Sequence, residues 1–281
     1  MIKNYSNDYK KYLKVKTLKK SLIIATQIGI LILIFGLWEL FARLEIIDTF
    51  IMSSPSRILR TIGELYRTGD LFHHAFTTLY EAIIGFLIAT LGGVILAILL
   101  WSNDTLRKIL DPYIVVLNSL PKIALGPIII IWVGVGTSSI VTMDVLIMII
   151  ISIISMLNAF RQIDESKIML LKSMNANKFQ ILTKLILPGS LPEFISLLKI
   201  NVGLTWVGTI MGEYLVSKAG LGYLIVYGGA VFKLDLVMTG IFLLIIISFI
   251  LYNISSLLYL INLKEELYNK CSIYKYSNSS L

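Results

Sequence analysis

Residues 77–101 read TTLYEAIIGFLIATLGGVILAILLW, and Glu81 is the only charged side chain in the run. Crossing a hydrocarbon core of about 30 Å takes roughly 20 residues of helix, at about 1.5 Å of rise each. Lipid offers backbone groups no hydrogen-bond partner, so such a run must close its own bonds and is helical. Runs of the same kind recur along the chain. The predicted spans fall at about 21–43, 77–101, 112–133, 138–158, 192–216 and 236–261, which makes an all-α membrane protein with six transmembrane helices. Composition agrees: 57% of the 281 residues are hydrophobic and 15% charged, against about 45–50% and about 25% in soluble domains.

The net charge of +8 raises the question of a nucleic-acid partner, and the distribution of the charge answers it. Lys3, Lys10, Lys11, Lys14, Lys16, Lys19 and Lys20 all precede the first apolar run, which marks 1–20 as a basic cytoplasmic tail. Six crossings from there return the carboxy terminus to the same side. Seventeen Lys and Arg then lie inside, six lie outside, and Lys122 and Lys199 fall within spans. This positive-inside bias sets a multi-pass protein of the cytoplasmic membrane with both termini cytoplasmic, its solvent the lipid bilayer and nucleic acid no partner. The first run is too long for a signal-peptide core and lacks a small-residue cleavage site. Cys271, the single cysteine, falls in the predicted cytoplasmic tail 264–281 and can form no internal disulfide.

Two connecting stretches carry structure of their own. In 45–76, Ser54-Pro55-Ser56 reads as a turn into a short surface helix with Ile58, Ile62 and Leu65 at helical spacing. The stretch 159–190 within the permease region 21–263 is the longest polar connection between spans. Its segment Ser166 to Met174 is helix-like, Asn175 suits a left-handed turn position, and Asn177 with Gln180 three residues on makes a capping box. Pro188 is expected to stop the second helix, so the segment reads as helix, tight turn, helix.

Across roughly residues 50–261 the chain resembles the permeases of nitrate, sulfonate and taurine type ABC importers, which have type I transmembrane folds. The resemblance rests on Ser54-Pro55-Ser56-Arg57, Gly69-Asp70-Leu71, Gly85, Leu120-Pro121-Lys122, Ala124, Pro127, Trp132, Gly134 and Gly136. It continues through Met174, Leu187-Pro188, Leu191-Pro192, Trp206, Glu213 and Gly220-Leu221-Gly222. It implies that the 159–190 loop sits in a groove of a separate ATPase, with coupling residues Met169, Leu170, Leu171, Met174, Asn175, Ala176, Phe179 and Pro188. Family members carry a Glu-Ala-Ala triplet and then a Gly in this loop; here those places hold Met169-Leu170-Leu171 and Asn175. Asn is the best non-glycine substitute at a left-handed position. The resemblance also implies an external binding protein, a second permease copy, most simply in a homodimer, and a pathway at their interface.

Ionisable residues at membrane depth are costly and mark function or interhelical bonding. Lys122 follows Pro121, with Pro127 close behind, so it either opens from a broken helix onto a cavity or snorkels to the surface. Asp144 either lines an outer mouth or meets water there, and Lys199 reads chiefly as a snorkelling lysine. Glu213 shares a face with Lys199, and with Asn201, Thr205, Trp206 and Thr209 it gives its helix a polar side suited to a translocation path or to packing. The pathway candidates are therefore Lys122, Asp144, Lys199, Thr205, Trp206 and Glu213. Glu39 and Glu81 read as headgroup-facing, and the adjacent His73 and His74, about 100° apart on a helix and without nearby ligands, as no metal site. The doublets Gly92-Gly93 and Gly228-Gly229 read as close packing or turns.

No Gly-rich run ends in Gly-Lys-Ser or Gly-Lys-Thr, and no catalytic triad, metal set or carboxylate pair stands out. The chain is expected to be no enzyme and to bind no cofactor, with ATP and Mg on the partner ATPase. The expected function is the permease subunit of an ABC importer for a small nitrate-, sulfonate- or taurine-like solute. An ATP-independent secondary transporter and a non-transporting scaffold are the alternatives.

Overall fold

The computed structural model describes residues 7–254, and among them there is no strand. The elements are α1 (Asn7–Arg43), α2 (Thr49–Met52), α3 (Pro55–Thr68), α4 (Asp70–Ser102), α5 (Asp104–Ser119) and, after a 3-10 turn at Lys122–Leu125, α6 (Gly126–Val133). They continue as α7 (Thr137–Arg161), α8 (Glu165–Ser173), α9 (Lys178–Ile181), a π turn (Leu182–Ile186), α10 (Leu187–Gly189), α11 (Leu191–Val216) and α12 (Leu221–Ala230). The last is α13 (Leu234–Ile254). Five helices are long and apolar enough to cross a membrane, and the bent pair α5 and α6 makes a sixth if it counts as one span.

The helices depart from the predicted spans in ways that matter for the site. Helix α4 begins at Asp70, ahead of Thr77, because Gly69 takes a left-handed turn (φ 83°) that ends α3 and starts α4 directly. Glu81 therefore lies three turns into the helix. Helix α5 begins at Asp104, with Asn103 capping the Leu106 N–H, so Pro112 sits inside a helix that was expected to start there. The third predicted span, 112–133, is not straight: α5 and α6 meet at 88°. Pro121 pushes Leu120 into extended backbone (φ −68°, ψ 138°) and cannot donate to the helix before it. From Asn7 onward the predicted tail is continuous with the first span. Residues 255–261 of the last predicted span and the 264–281 tail with Cys271 lie outside the described residues.

Helices α4, α7 and α11 form the centre. Water drives no association between helices in lipid, so close packing and interhelical hydrogen bonds must hold them. Helix α4 supplies a stripe of small buried residues at helical spacing: Thr78, Ala82, Gly85, Ala89, Gly93 and Ala97. Gly93 lies against Ser152 and Gly85 against Asp144, both on α7, while Gly208 and Gly212 of α11 face Asp144 and Ile140. A β-carbon at Gly85, Gly93 or Gly208 would overlap its neighbour. Around this trio α1 leans on α13, with Phe35 and Phe242 edge to face at 5.9 Å. Arg57 of α3 grips Asp235 in the first turn of α13 at 2.7 Å, and Ser53 donates to the same carboxylate at 2.7 Å.

Candidate functional site

At one end of the bundle, α8, α9 and α10 form a knuckle. Asp164 caps α8 by accepting the Ser166 N–H at 2.9 Å, and that bond, with nearby Lys167, holds its carboxyl below the usual range. The helix ends on Asn175 at φ 57°. The Asn175 N–H donates to Lys172 O at 2.9 Å and the Ala176 N–H to Leu171 O at 3.0 Å, the paired bonds of a left-handed C-cap. Asn177 then accepts from the Gln180 N–H while Gln180 Oε1 accepts from the Asn177 N–H, at 2.8 and 2.9 Å. Three consecutive residues thus fix the angle between two helices by four hydrogen bonds.

Pro188 does not stop the second helix. It lacks an N–H and crowds the carbonyl four residues back, and the chain answers with a π turn in which the Leu187 N–H reaches Leu182 O. Helical backbone continues to Gly189, and Ser190 turns it into α11. Ile181, Leu182 and Ile186 sink into a core with Leu100, Phe160 and Leu197, and Lys178 Nζ bonds Ser102 O at 3.3 Å.

This anchoring divides the predicted coupling residues. Leu171 and Ala176 pack against the core. Met169, Leu170, Met174 and Phe179 project outward, with Met174 and Phe179 each 71% exposed, and Asn175 and Pro188 are exposed beside them. Four large apolar side chains are thus left exposed around the turn, with the exposed Lys167, Lys172 and Lys178 in the same segment.

The pathway candidates are not gathered in one place. Asp144 meets neither an outer mouth nor water: it is wholly buried between α4, α7 and α11 and accepts the Thr209 hydroxyl at 2.7 Å. Glu213 is buried too, accepting the Thr78 hydroxyl at 2.6 Å and the Gly222 N–H at 2.5 Å. Thr205 is buried against Met148, and Asn201 donates to Thr90 and Ser152, each at 2.9 Å, tying α11 to α4 and α7. Trp206 and Lys199 are half-buried on α11, while Lys122 stands at the α5–α6 elbow with Nζ on Asn118 O at 3.2 Å.

Several residues acquire roles the sequence did not suggest. Glu81 faces no headgroups: it is 1% exposed and accepts the Thr137 hydroxyl at 2.8 Å. Glu39 pairs with Arg43 and accepts the Ser56 N–H. His74 Nδ1 accepts the Gly220 N–H at 2.9 Å, and Thr78 accepts the Leu221 N–H at 2.7 Å. Glu213, Thr78 and His74 together fasten the Gly220-Leu221-Gly222 turn. Beside this turn lies a cavity of about 790 Å³ whose walls include Arg57, His73, His74, Lys218, Tyr223 and Tyr227. The readable signal was the small and polar stripe on α4; the long-range partners had none.

Residues 89–263 match the family described as binding-protein-dependent transport system inner membrane component. A relative from Haemophilus influenzae described as "Probable ABC transporter permease protein" is 32% identical over 243 residues, 85% of this chain and 94% of its own. The taurine transport system permease protein of Escherichia coli is 27% identical, covering 81% of this chain and 85% of its own. Among solved structures, a bacterial ABC transporter that imports alginate superposes with a TM-score of 0.63 at 13% identity, over 90% of this chain and 98% of that one. The chain belongs to the binding-protein-dependent transport system inner membrane components, the permease subunits of ABC importers.

Proposed function

We propose that this permease carries a small organic anion of the sulfonate or taurine type, driven by a separate ATPase that grips the α8–α9 knuckle. The observation that carries the reading is the bare cluster Met169, Leu170, Met174 and Phe179, held on a turn too firmly bonded to flex. Four large apolar side chains at the same end as the basic flanks of the spans need a protein partner, because neither water nor the acyl core covers them. No nucleotide-binding pattern occurs in the sequence, so the nucleotide chemistry belongs to that partner.

In this reading both termini and the knuckle face the cytoplasm, as the lysine distribution requires. A second copy completes the pathway along the half-buried face of α11 that carries Lys199 and Trp206 and along the α5–α6 elbow with Lys122. A binding protein delivers the solute at the opposite end, where the cavity beside Tyr223 offers Lys218 and His73 to an anion. The taurine-transporting relative supports the solute class.

The test is co-purification of the ATPase with wild-type chain and with Asn175→Pro, which breaks the left-handed cap. The variant is expected to reach the membrane and lose the ATPase; undiminished co-purification overturns the docking assignment. Solute-stimulated ATP turnover with taurine, an alkanesulfonate and nitrate, in the presence of the binding protein, decides the anion.

A further inference from the structure

Three carboxyl groups meet inside the α3 end of the bundle: Glu81 on α4, Asp144 on α7 and Glu213 on α11, exposed to 1%, 0% and 1%. Gly85, one turn beyond Glu81, and Thr209, one turn before Glu213, both touch Asp144, and Thr78, one turn before Glu81, bonds Glu213. An ionised carboxylate removed from water needs a cation or a full set of donors. Glu213 has the donors, from Thr78 and Gly222. The others do not. Glu81 and Asp144 each hold one hydroxyl contact, to Thr137 and Thr209, and Glu81 Oε2 and Asp144 Oδ1 have no partner at all.

Among the described residues no cation is placed to compensate them. None of the ion pairs among the described residues involves the trio. Lys199 is nine residues from Gly208, which touches Asp144, or about 13 Å along α11 and out of reach. Among the described residues no three His, Cys, Asp or Glu are arranged to hold a metal ion. The other titratable groups facing the trio are His74 on α4, Tyr214 on α11 and Tyr223 at the start of α12; α6, packed on α7 and α11, brings none. His74 Nδ1 accepts an N–H and so carries no proton of its own.

We propose that this interior is a proton-binding site: Glu81 and Asp144 are held as neutral carboxylic acids and Glu213 as the single carboxylate. Glu81 donates its proton to the Thr137 hydroxyl. Asp144 donates to the Thr209 hydroxyl, which as an alcohol accepts one bond and passes its own hydrogen on. Protonation leaves one negative charge, and that charge is surrounded by donors that fasten the Gly220–Gly222 turn. Removing the protons sets three charges against one another and frees the turn, so the wall of the neighbouring cavity becomes sensitive to alkaline pH.

Infrared spectroscopy of the full chain, purified with whatever subunits accompany it and reconstituted in lipid discs, tests this. Wild type is expected to show the carbonyl stretch of buried carboxylic acids at neutral pH. Asp144→Asn and Glu81→Gln are each expected to remove one component and leave the thermal midpoint within a few degrees. At alkaline pH the wild-type bands are expected to disappear while amide exchange over 217–222 accelerates. Absence of any protonated-carboxyl band in wild type at neutral pH overturns the proposal, as do bands of unchanged intensity in both variants. If neither variant folds, the wild-type band and its alkaline loss still decide.

Discussion

The two ends of the bundle are joined by different chemistry. At the α3 end, helices are tied by directed bonds: Glu213 to Thr78, Asp144 to Thr209, Glu81 to Thr137, His74 to the Gly220 N–H. At the knuckle end they are joined by apolar packing of Leu100, Met156, Phe160, Ile181, Ile186 and Leu197. Directed bonds fix both distance and angle, whereas apolar contacts fix distance and tolerate sliding. The directed joint therefore holds its geometry more strictly than the apolar one.

Removing the apolar joint should have the largest effect on stability. Phe160→Ala empties the centre of the knuckle-end core and is expected to cost about 3 kcal/mol or more, read as a fall in the thermal midpoint of the detergent-purified protein. Glu213→Ala strands the Gly222 N–H, leaves the Thr78 hydroxyl only its longer bond to His74 O, and is expected to cost about 2 kcal/mol; Glu213→Gln, which keeps an acceptor, should cost less. If the two Ala variants ranked the other way, the contrast between the joints would be wrong. Asn175→Val forces a β-branched residue into left-handed backbone and is expected to cost about 1–2 kcal/mol, whereas Asn175→Gly should be neutral or better. Phe179→Ala combined with Met174→Ala touches only exposed side chains, so stability should stay within about 0.5 kcal/mol while solute-stimulated ATP turnover by the assembled transporter falls.

The smallest effect concerns Asp164. Its carboxyl is held below its ordinary range by the Ser166 N–H, so its contribution to the start of α8 is present at neutral pH and lost as pH falls through the folded value. Exchange at the Ser166 amide, compared at matched pH with Asp164→Asn, should be slower in wild type near neutrality, and the difference should shrink in acid.

What the sequence disclosed follows the range of the interactions. The Asn175 turn and the Asn177–Gln180 box are complete within six residues, and both were legible. Pro188 was visible, but its outcome depended on whether the following helix offered a continuation, and the anchoring of Ile181 and Ile186 supplied it. Glu81 was misplaced because the polar start of α4, Asp70 to His74, resembles loop in composition, although Gly69 ends one helix and begins the next. Arg57 and Asp235 are 178 residues apart, and nothing local announces their meeting. For Asp144 and Glu213 the residue types were noticed, but one strand of sequence does not say which side of a helix turns toward its neighbours.

The π turn at Leu182–Ile186 holds one residue more than an α turn would. Should that surplus residue be released toward the amino end, α9 would screw forward by about 1.5 Å and about 100° relative to α10. Phe179 would then sweep through more than a quarter circle while α11 stayed where it is, so the same proline that bars a regular helix leaves the chain with a built-in gear step between its exposed apolar turn and its spans.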